Sequence, residues 1–243
     1  GKTNTEVIIA FRGTLTPALH WDAVLDWLQD FWAEPTTNIN LPGKIHSGFL
    51  SAVLSLSEGI SQAIKAINPD NNLPVYITGH SKGGGMAPIA AMYLKNTVNI
   101  NAKQVITFAG PNAGNNEFCE AYNNTFPNHL RYENYLDLVP LLPPTTELVA
   151  VLDSIHSVPN WLKALLNKSK DWNYQTVGTL NYINAEAKVK TYSKLRAELL
   201  LPIRIGEILQ KLGGLQFKPI VEAHDASCNF RYMKGTCTDQ VCK

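Results

Sequence analysis

The chain has 243 residues, of which 45% are hydrophobic and 17% are charged, and its formal net charge is +1. This length suits one sizeable α/β domain spanning residues 1–243, because two full domains would be crowded. The nearly neutral charge gives no electrostatic reason to expect a nucleic-acid partner, and no apolar run of about 18 residues predicts a transmembrane helix.

The first 134 residues alternate short apolar strands with amphipathic helices. The predicted strands, rich in β-branched and apolar residues, are Glu6–Phe11, Val75–Thr78, Gln104–Ala109 and Leu130–Asn134. The predicted helices, with apolar residues at helical spacing, are Trp21–Trp32, Phe49–Ile67 and Gly84–Leu94. This alternation predicts an α/β fold with a mostly parallel sheet flanked by helices.

The remainder of the chain contains a hydrophobic segment, an alternating run and a second helical pattern. Residues 145–172 are predicted to form a helical insertion or cap, because their apolar side chains share one face. Pro159 is expected to start a new turn or to kink that segment. The alternating run Tyr174–Ile183 predicts a strand, and Lys188–Leu212 is predicted to be helical with an interruption at Pro202.

One segment, PVYITGHSKGGGMA from Pro74 to Ala87, combines a strand pattern, a G-x-S-x-G turn and a helix-compatible sequence. Strand, turn and helix in that order are the context that a nucleophile elbow requires. Gly79 and Gly83 lack a Cβ atom, so the strand and the helix can approach closely and present the Ser81 hydroxyl. The alternative is a glycine-rich loop with an incidental serine, which does not explain the strand pattern before the turn and the helix pattern after it. We therefore predict that Ser81 is a nucleophile.

A serine hydroxyl needs a histidine to accept its proton and a carboxylate to orient that histidine, in the chain order Ser, acid, His for α/β hydrolases. Asp137 is the predicted acid, because it follows a strand and opens a turn at the carboxyl edge of the sheet, although it could be only a turn-former. His224 is the predicted base because it stands near the C-terminus, although it could be a loop histidine without a catalytic task. His129 precedes Asp137, and His156 lies in the amphipathic segment, so both are weaker candidates.

The negative oxygen of an ester-cleavage intermediate needs preorganised hydrogen-bond donors. The backbone N–H of Lys82 is one predicted donor, since it follows the nucleophile at the start of a helix. Thr14, which ends the first strand in the sequence Arg12-Gly13-Thr14, is the second, although Gly-Thr after a strand is also ordinary loop chemistry. This chemistry needs neither a metal nor an organic cofactor.

The four cysteines are Cys119, Cys228, Cys237 and Cys242. They lack the spacing of a zinc site, and disulfides near the C-terminus and free thiols remain open alternatives. Two N-x-S/T sequons, at Asn123 and Asn167, fit either secretion or chance. The location stays open, with secretion slightly favoured over a cytoplasmic location. Because the chain opens on a glycine, we expect a processed or trimmed segment whose targeting information can lie elsewhere.

Five segments in order resemble the fungal-type class 3 lipases of the α/β-hydrolase superfamily: IIAFRGT at Ile8–Thr14, KIHSGF at Lys44–Phe49, GHSKGG at Gly79–Gly84, TFAGPNAGN at Thr107–Asn115 and YLDLVPLLPP at Tyr135–Pro144. Each motif is modest alone, but five in order are specific. The resemblance spans about residues 6–183 and resumes around His224. The chain departs from the family pattern at Lys82, where a Leu or Gln is more familiar, and in the long spacing between Asp137 and His224.

The resemblance implies an α/β-hydrolase fold with the triad Ser81, Asp137 and His224 and an oxyanion side chain at Thr14. It implies a serine carboxylester hydrolase, with a triacylglycerol lipase favoured over a phospholipase, a short-chain or feruloyl-type esterase, or a catalytically silent binding protein. Its partner would be a lipid or another ester, with a lipid–water interface as one setting. Trp21–Trp32 could then be a lid or ordinary packing, and residues 145–172 a hydrophobic insertion near the active site.

Overall fold

The computed structural model of the chain describes residues 1–14, 31–155, 158, 160–214, 216–227 and 231–237. The predicted helix at Trp21–Trp32 lies outside the described residues except for Phe31 and Trp32. Pro159, His156, Cys228 and Cys242 also lie outside them.

The described strands, numbered in chain order, are β1 (Val7–Phe11), β2 (Pro35–Asn38), β3 (Leu41–His46), β4 (Val75–His80), β5 (Ala102–Phe108), β6 (Gly114–Asn115), β7 (Leu130–Asn134), β8 (Tyr174–Gln175), β9 (Thr179–Ile183) and β10 (Val189–Tyr192). The described α-helices are α1 (Ser47–Ile67), α2 (Lys82–Val98), α3 (Asn116–Thr125), α4 (Thr146–Asp153), α5 (Asn160–Ser169), α6 (Lys194–Gly213), α7 (Lys218–His224) and α8 (Arg231–Thr236). Short 3₁₀ turns occupy Val139–Leu141 and Lys170–Trp172.

The central sheet has the order β1-β4-β5-β7-β9-β10. Its first five strands are parallel and β10 runs antiparallel to β9. The connections from β1 to β4, from β4 to β5 and from β5 to β7 contain α1, α2 and α3, as parallel neighbours require. The predicted α/β fold with a mostly parallel sheet and flanking helices is therefore confirmed.

A smaller sheet of order β2-β3-β6-β8 lies beside the central one, and the sequence did not predict it. Its pairings are antiparallel, and β6 and β8 have only two residues each. Strands this short carry no periodic signal, so only the tertiary contacts define them.

Two clusters of buried side chains hold the layers together. The larger lies between the central sheet and α1, α2 and α3, and includes Phe49, Ile77, Ile89 and Phe118. The second joins the turn after β7 to α4 and α6, and includes Leu136, Leu148 and Ile205. Residues 145–172 thus bury an apolar face beside the turn that carries Asp137; their role as a cap stays a prediction.

Two predicted elements were wrong in detail. The expected strand Tyr174–Ile183 is divided into β8 and β9 at residues 176–178, where Gly178 has a φ of 71°. The expected helix Lys188–Leu212 begins instead with β10, whose residues pair with β9. Pro202 lies inside α6 without ending it; Glu198, four residues earlier, is exposed, so water can satisfy its carbonyl.

Within the described part of the chain, no helix combines the length and the hydropathy that crossing a bilayer requires.

His46 caps the first helix in its neutral form. Its Nδ1 accepts a hydrogen bond from the Phe49 N–H at 3.3 Å, so Nε2 carries the proton and donates to the Phe31 carbonyl at 3.3 Å. The side chain is buried and its ring stacks on Phe49 with centroids 3.6 Å apart. Burial lowers the pKa of His46 to about 4, and it lowers that of His129, which directly precedes β7, to about 3. Folding therefore keeps both histidines neutral.

We predict that acid destabilises the protein through these histidines. The unfolded chain takes up their protons below a pKa of about 6.5, whereas the folded chain does so only near 4 or below. The free energy of unfolding thus has its full value above pH ~6.5. Below that pH it declines by about 1.4 kcal/mol per pH unit for each histidine. His46→Asn keeps a capping acceptor. Because it removes one titrating group, it should reduce the pH dependence of the free energy of unfolding by about 1.4 kcal/mol per pH unit. Urea unfolding between about pH 7 and 5 measures it; an unchanged slope would contradict the assignment.

Candidate active site

Ser81 lies on a sharp turn between β4 and α2. Its φ is 58° and its ψ is −130°, a combination that only glycine adopts without strain. The Ser81 N–H donates to the Phe108 carbonyl of β5 at 3.0 Å, and its own carbonyl accepts from Gly84 at 2.8 Å. Backbone hydrogen bonds on both sides therefore hold the serine in this conformation.

The glycines around Ser81 allow backbone atoms to pack directly against one another. A Cβ atom on Gly79 would overlap the Gly83 carbonyl, and a Cβ atom on Gly83 would overlap the Phe11 carbonyl at the end of β1. Any other residue at either position would force β4, α2 and β1 apart.

The Ser81 side chain is completely buried, and its hydroxyl has no hydrogen-bond partner among the residues that the structure describes. The strand-turn-helix geometry is that of a nucleophile elbow. In this conformation, however, the hydroxyl does not contact His224 through a hydrogen bond. An ester could reach Ser81 only after a change of conformation.

His224 and Asp137 form a buried pair. Nδ1 of His224 lies 3.0 Å and 3.1 Å from the two carboxylate oxygens of Asp137. Because a carboxylate only accepts, Nδ1 is the donor, which leaves Nε2 as the proton acceptor of the neutral ring. His224 ends α7, and Asp137 lies in the turn after β7, so two separate elements bring this pair together.

Two further groups donate to the Asp137 carboxylate. The Val139 N–H donates to Oδ1 at 3.0 Å, and the Tyr232 hydroxyl donates to Oδ2 at 2.6 Å. The same hydroxyl accepts from the Asn134 N–H at 3.0 Å. Burial and the charge of Asp137 raise the pKa of Tyr232 well above its ordinary value, so it stays a donor. Sequence reasoning missed Tyr232, because no motif marks a tyrosine eight residues after the histidine.

His80 connects the elbow to the histidine–aspartate pair. Its Nε2 donates to the backbone carbonyl of His224 at 2.7 Å, and the two rings lie 4.8 Å apart. Burial, together with the neighbouring His224, lowers the pKa of His80 to about 4, so the ring is neutral near pH 7. Since His80 precedes Ser81, this hydrogen bond holds the end of α7 beside the elbow. The sequence contained His80 within GHSKGG but gave it no role.

The predicted oxyanion residues also lie at the elbow. Lys82 begins α2, where backbone N–H groups have no intrahelical acceptor. A Cβ atom on Gly13 would lie 2.9 Å from the Ser81 Cβ, so the loop after β1 runs directly past the serine. Thr14 follows in that loop with an exposed side chain. The roles of Thr14 and Lys82 stay predictions.

Three other buried polar side chains lie away from this site. Nε2 of His129 and the Thr107 hydroxyl lie 2.9 Å apart in the core between β5 and β7. Cys119 is a buried free thiol whose Sγ donates to the Gln175 carbonyl at 3.1 Å, and burial raises its pKa. Among the described residues, no three His, Cys, Asp or Glu side chains form a metal-binding group.

We predict that Gly79→Ala destabilises the protein severely. The added methyl group meets backbone rather than a flexible side chain, so the free energy of unfolding should fall by about 3 kcal/mol or more. Gly59→Ala is the control: it lies in α1 with nothing within 4 Å, and it should be neutral or stabilising by up to about 1 kcal/mol. Denaturant unfolding of both variants measures the difference, and wild-type stability of Gly79→Ala would show that the elbow relaxes freely.

We also predict that Tyr232→Phe weakens the support of Asp137. The change removes the donor to Oδ2 and the acceptor of the Asn134 N–H, so stability should fall by about 2 kcal/mol. Tyr192→Phe is the matched control, because the Tyr192 hydroxyl bonds no described residue; its stability should stay within about 0.5 kcal/mol of wild type. Equal unfolding midpoints for the two variants would exclude a role for the Tyr232 hydroxyl.

Comparison with known proteins relates this site to a family. A family model described as lipase (class 3) matches residues 8–147, more than half of the chain. A chloroplastic phospholipase A(1), DAD1, of Arabidopsis thaliana is 29% identical over 197 residues, covering 71% of this chain and 42% of that protein. Secreted mono- and diacylglycerol lipase 1 of Fusarium solani is 28% identical over 141 residues, covering 57% of this chain and 40% of that protein. The chain thus spans about two fifths of the length of these relatives.

Solved structures share the fold. The triacylglyceride lipase of Rhizomucor miehei matches with a TM-score of 0.57 at 20% identity, covering 78% of this chain and 62% of that one. The M37 lipase matches with a TM-score of 0.55 at 21% identity, covering 87% and 73%. At these identities the matches bear on the fold alone. The family model, in contrast, includes most of β1, the elbow and the Asp137 turn, and it confirms the resemblance: the chain belongs to the class 3 lipase family.

Proposed function

We propose that this protein is a serine carboxylester hydrolase that acts on lipid esters. One observation carries the proposal: a serine in strained backbone conformation on a strand-turn-helix elbow lies next to a buried histidine–aspartate pair, in the chain order Ser, Asp, His. His80 joins the two halves through its hydrogen bond to the His224 carbonyl. Membership of the class 3 lipase family supports this chemistry.

In the proposed mechanism, Ser81 attacks the ester carbonyl while Nε2 of His224 takes its proton. Asp137 orients the ring through Nδ1 and balances the positive charge that develops on it. The Lys82 N–H and Thr14 hold the tetrahedral oxyanion. His224 then returns the proton to the leaving alcohol, and water releases the acyl group from Ser81 by the same steps in reverse order.

The substrate class rests on the relatives and on the burial of the site. The Fusarium solani relative is named a mono- and diacylglycerol lipase, which supports an acylglycerol substrate. Phospholipid is the second candidate, because the Arabidopsis relative that matches 71% of this chain is named a phospholipase A(1). The buried Ser81 implies that the site opens before catalysis, as an enzyme acting at a lipid–water interface would do.

Two alternatives concern the same site. A catalytically silent binding protein would be expected to lack a triad member, and all three residues are present here. A transacylase would transfer the acyl group to an alcohol in place of water, and added glycerol would then be acylated. The relatives from Fusarium solani and Penicillium cyclopium are named secreted enzymes, which supports secretion, whereas the Arabidopsis relative is named chloroplastic.

The first experiment compares wild type with Ser81→Ala on p-nitrophenyl esters of increasing chain length. Loss of a triad nucleophile should reduce kcat by about 10³-fold or more. Ser51→Ala, on the exposed face of α1, is the control and should keep wild-type activity. Equal rates for wild type and Ser81→Ala, or no hydrolysis by wild type, would refute the proposal.

The same wild-type protein is then used to distinguish triacylglycerol, phospholipid and soluble ester as the preferred substrate. Dispersed triacylglycerol and phosphatidylcholine vesicles are compared with a soluble short-chain ester, and released fatty acid is titrated. Faster release from dispersed triacylglycerol supports the lipase assignment, and preference for phosphatidylcholine supports the phospholipase. A preference for the soluble ester alone would contradict a lipid substrate.

A further inference from the structure

A cavity of about 430 Å³ lies between β7, β9 and the helices α3, α4 and α6. It is separate from the candidate active site, since Ser81, Asp137 and His224 do not line it. Its volume lies within the range of roughly 300–1,000 Å³ that is usual for small-molecule sites. The cavity is therefore large enough to hold a ligand of its own.

Three buried charged side chains line one part of this cavity. Arg131 and Glu133 come from β7 and Arg204 from α6, and they are 8%, 1% and 4% exposed. One carboxylate oxygen of Glu133 pairs with Arg131 and the other with Arg204. Two guanidinium groups thus share a single carboxylate, and the buried cluster keeps an excess positive charge.

The guanidinium of Arg204 is incompletely paired. Its Nε and Nη2 atoms are buried and have no hydrogen-bond partner among the described residues, although the group lies 5.5 Å from the ring of Tyr182. Arg131, in contrast, also donates through Nε to the Val177 carbonyl at 2.9 Å. Unpaired buried N–H groups are costly and rare, so a missing acceptor is the usual explanation.

Beyond Glu133, the buried negative charge that acts on Arg204 is the Asp137 carboxylate, which already accepts hydrogen bonds from His224, Val139 and Tyr232. Burial and the charge of Arg204 lower the pKa of Arg131 to about 9, and burial also lowers the pKa of Arg204. The other charged lining residues are Glu120, Glu147, Lys194 and Glu198. None of these four is buried, so water screens their effect on the interior. Among the described residues, what the buried cluster lacks is a hydrogen-bond acceptor for Nε and Nη2 of Arg204.

Much of the remaining wall is apolar, contributed by Pro127, Pro140, Leu141, Leu148, Leu180 and Leu201. A cavity with a buried cationic cluster and apolar sides matches a molecule with one carboxylate and a hydrocarbon chain. A small inorganic anion would leave the apolar wall uncovered, and a neutral lipid would leave Arg204 unpaired.

We propose that this cavity is a second ligand site, which binds a fatty acid with its carboxylate against Arg204. The choice of a fatty acid rests on the proposed function, since ester hydrolysis would release that product. The carboxylate accepts from Nε and Nη2 of Arg204, and the hydrocarbon chain lies along the apolar wall. The free carboxylic acid that leaves Ser81 thus has a binding site apart from the triad.

The test is a calorimetric titration with decanoate. The protein is first treated with an alkylphosphonate that reacts with Ser81, so that the active site is blocked, and labelling is verified by mass. Decanoate should bind the blocked protein with one-to-one stoichiometry. Decanol and acetate should each bind at least about 10-fold more weakly, because one lacks the charge-assisted hydrogen bonds and the other lacks the apolar chain.

Three variants locate the binding. Arg204→Met removes the unpaired guanidinium, and Ala197→Trp fills the cavity from α6 while keeping both arginines; each should weaken decanoate binding at least about 10-fold. Arg196→Met, an exposed arginine of the same helix, is the matched control and should leave binding unchanged. Circular dichroism and thermal unfolding verify the fold of each variant. If Arg204→Met does not fold, Ala197→Trp decides.

The proposal is overturned if blocked wild type does not bind decanoate, if acetate or decanol binds equally well, or if Ala197→Trp binds like wild type. Failure of the proposed function is a separate result, seen as an absence of phosphonate labelling and ester hydrolysis. In that case, decanoate titrations of unlabelled wild type and of Ala197→Trp, compared with each other, would still test the cavity.

Discussion

The candidate active site depends on one backbone contact, the close packing of the β4–α2 turn against the end of β1. Gly79, Gly83 and the Phe11 carbonyl meet with no room for a side chain. At this contact Ser81 has a positive φ and directly precedes the first residue of α2. It also brings the loop after β1 past Ser81, where Gly13 nearly touches the Ser81 side chain. The conformation of Ser81 and the positions of the proposed oxyanion donors therefore depend on the same backbone contact.

A second constraint is the burial of the Asp137 carboxylate. A buried charge is tolerated only when hydrogen bonds replace its water, and Asp137 receives them from His224, Val139 and Tyr232. Asn134 strengthens the arrangement, because it donates to the Tyr232 hydroxyl and to the Ala223 carbonyl. The last two helices are thus held against the sheet by the same carboxylate that orients the histidine. Loss of one partner would affect both the fold of the C-terminal region and the chemistry of the site.

The helical region after Asp137 connects the candidate active site with the separate cavity near Arg204. Leu136 and Leu141, on either side of the acid, pack in the same cluster as α4 and α6. Val139, which donates to Asp137, directly precedes Pro140 and Leu141, two of the residues that line the separate cavity. A ligand held against Arg204 would therefore lie beside the turn that carries Asp137.

Much of the fold and the candidate triad could be predicted from the sequence. Apolar strands, helical stripes and the G-x-S-x-G turn are local signals, and chain order limited the acid and the base to residues after Ser81. The hydrogen bond between Asp137 and His224 then matched the residues chosen from chemistry alone. The short strands of the second sheet, β10 and the continuous helix through Pro202 were missed, because tertiary pairing and packing decide them.

By itself, the sequence determined which side chains can do chemistry, because residue type and local pattern are properties of the chain. Only the tertiary structure decided what surrounds them. The hydrogen bond from Tyr232 to Asp137, the contact of His80 with His224 and the ion pair of Arg204 with Glu133 join residues that are 95, 144 and 71 positions apart. No periodicity or motif encodes such distances, since they arise when separate elements pack and buried charges must find partners.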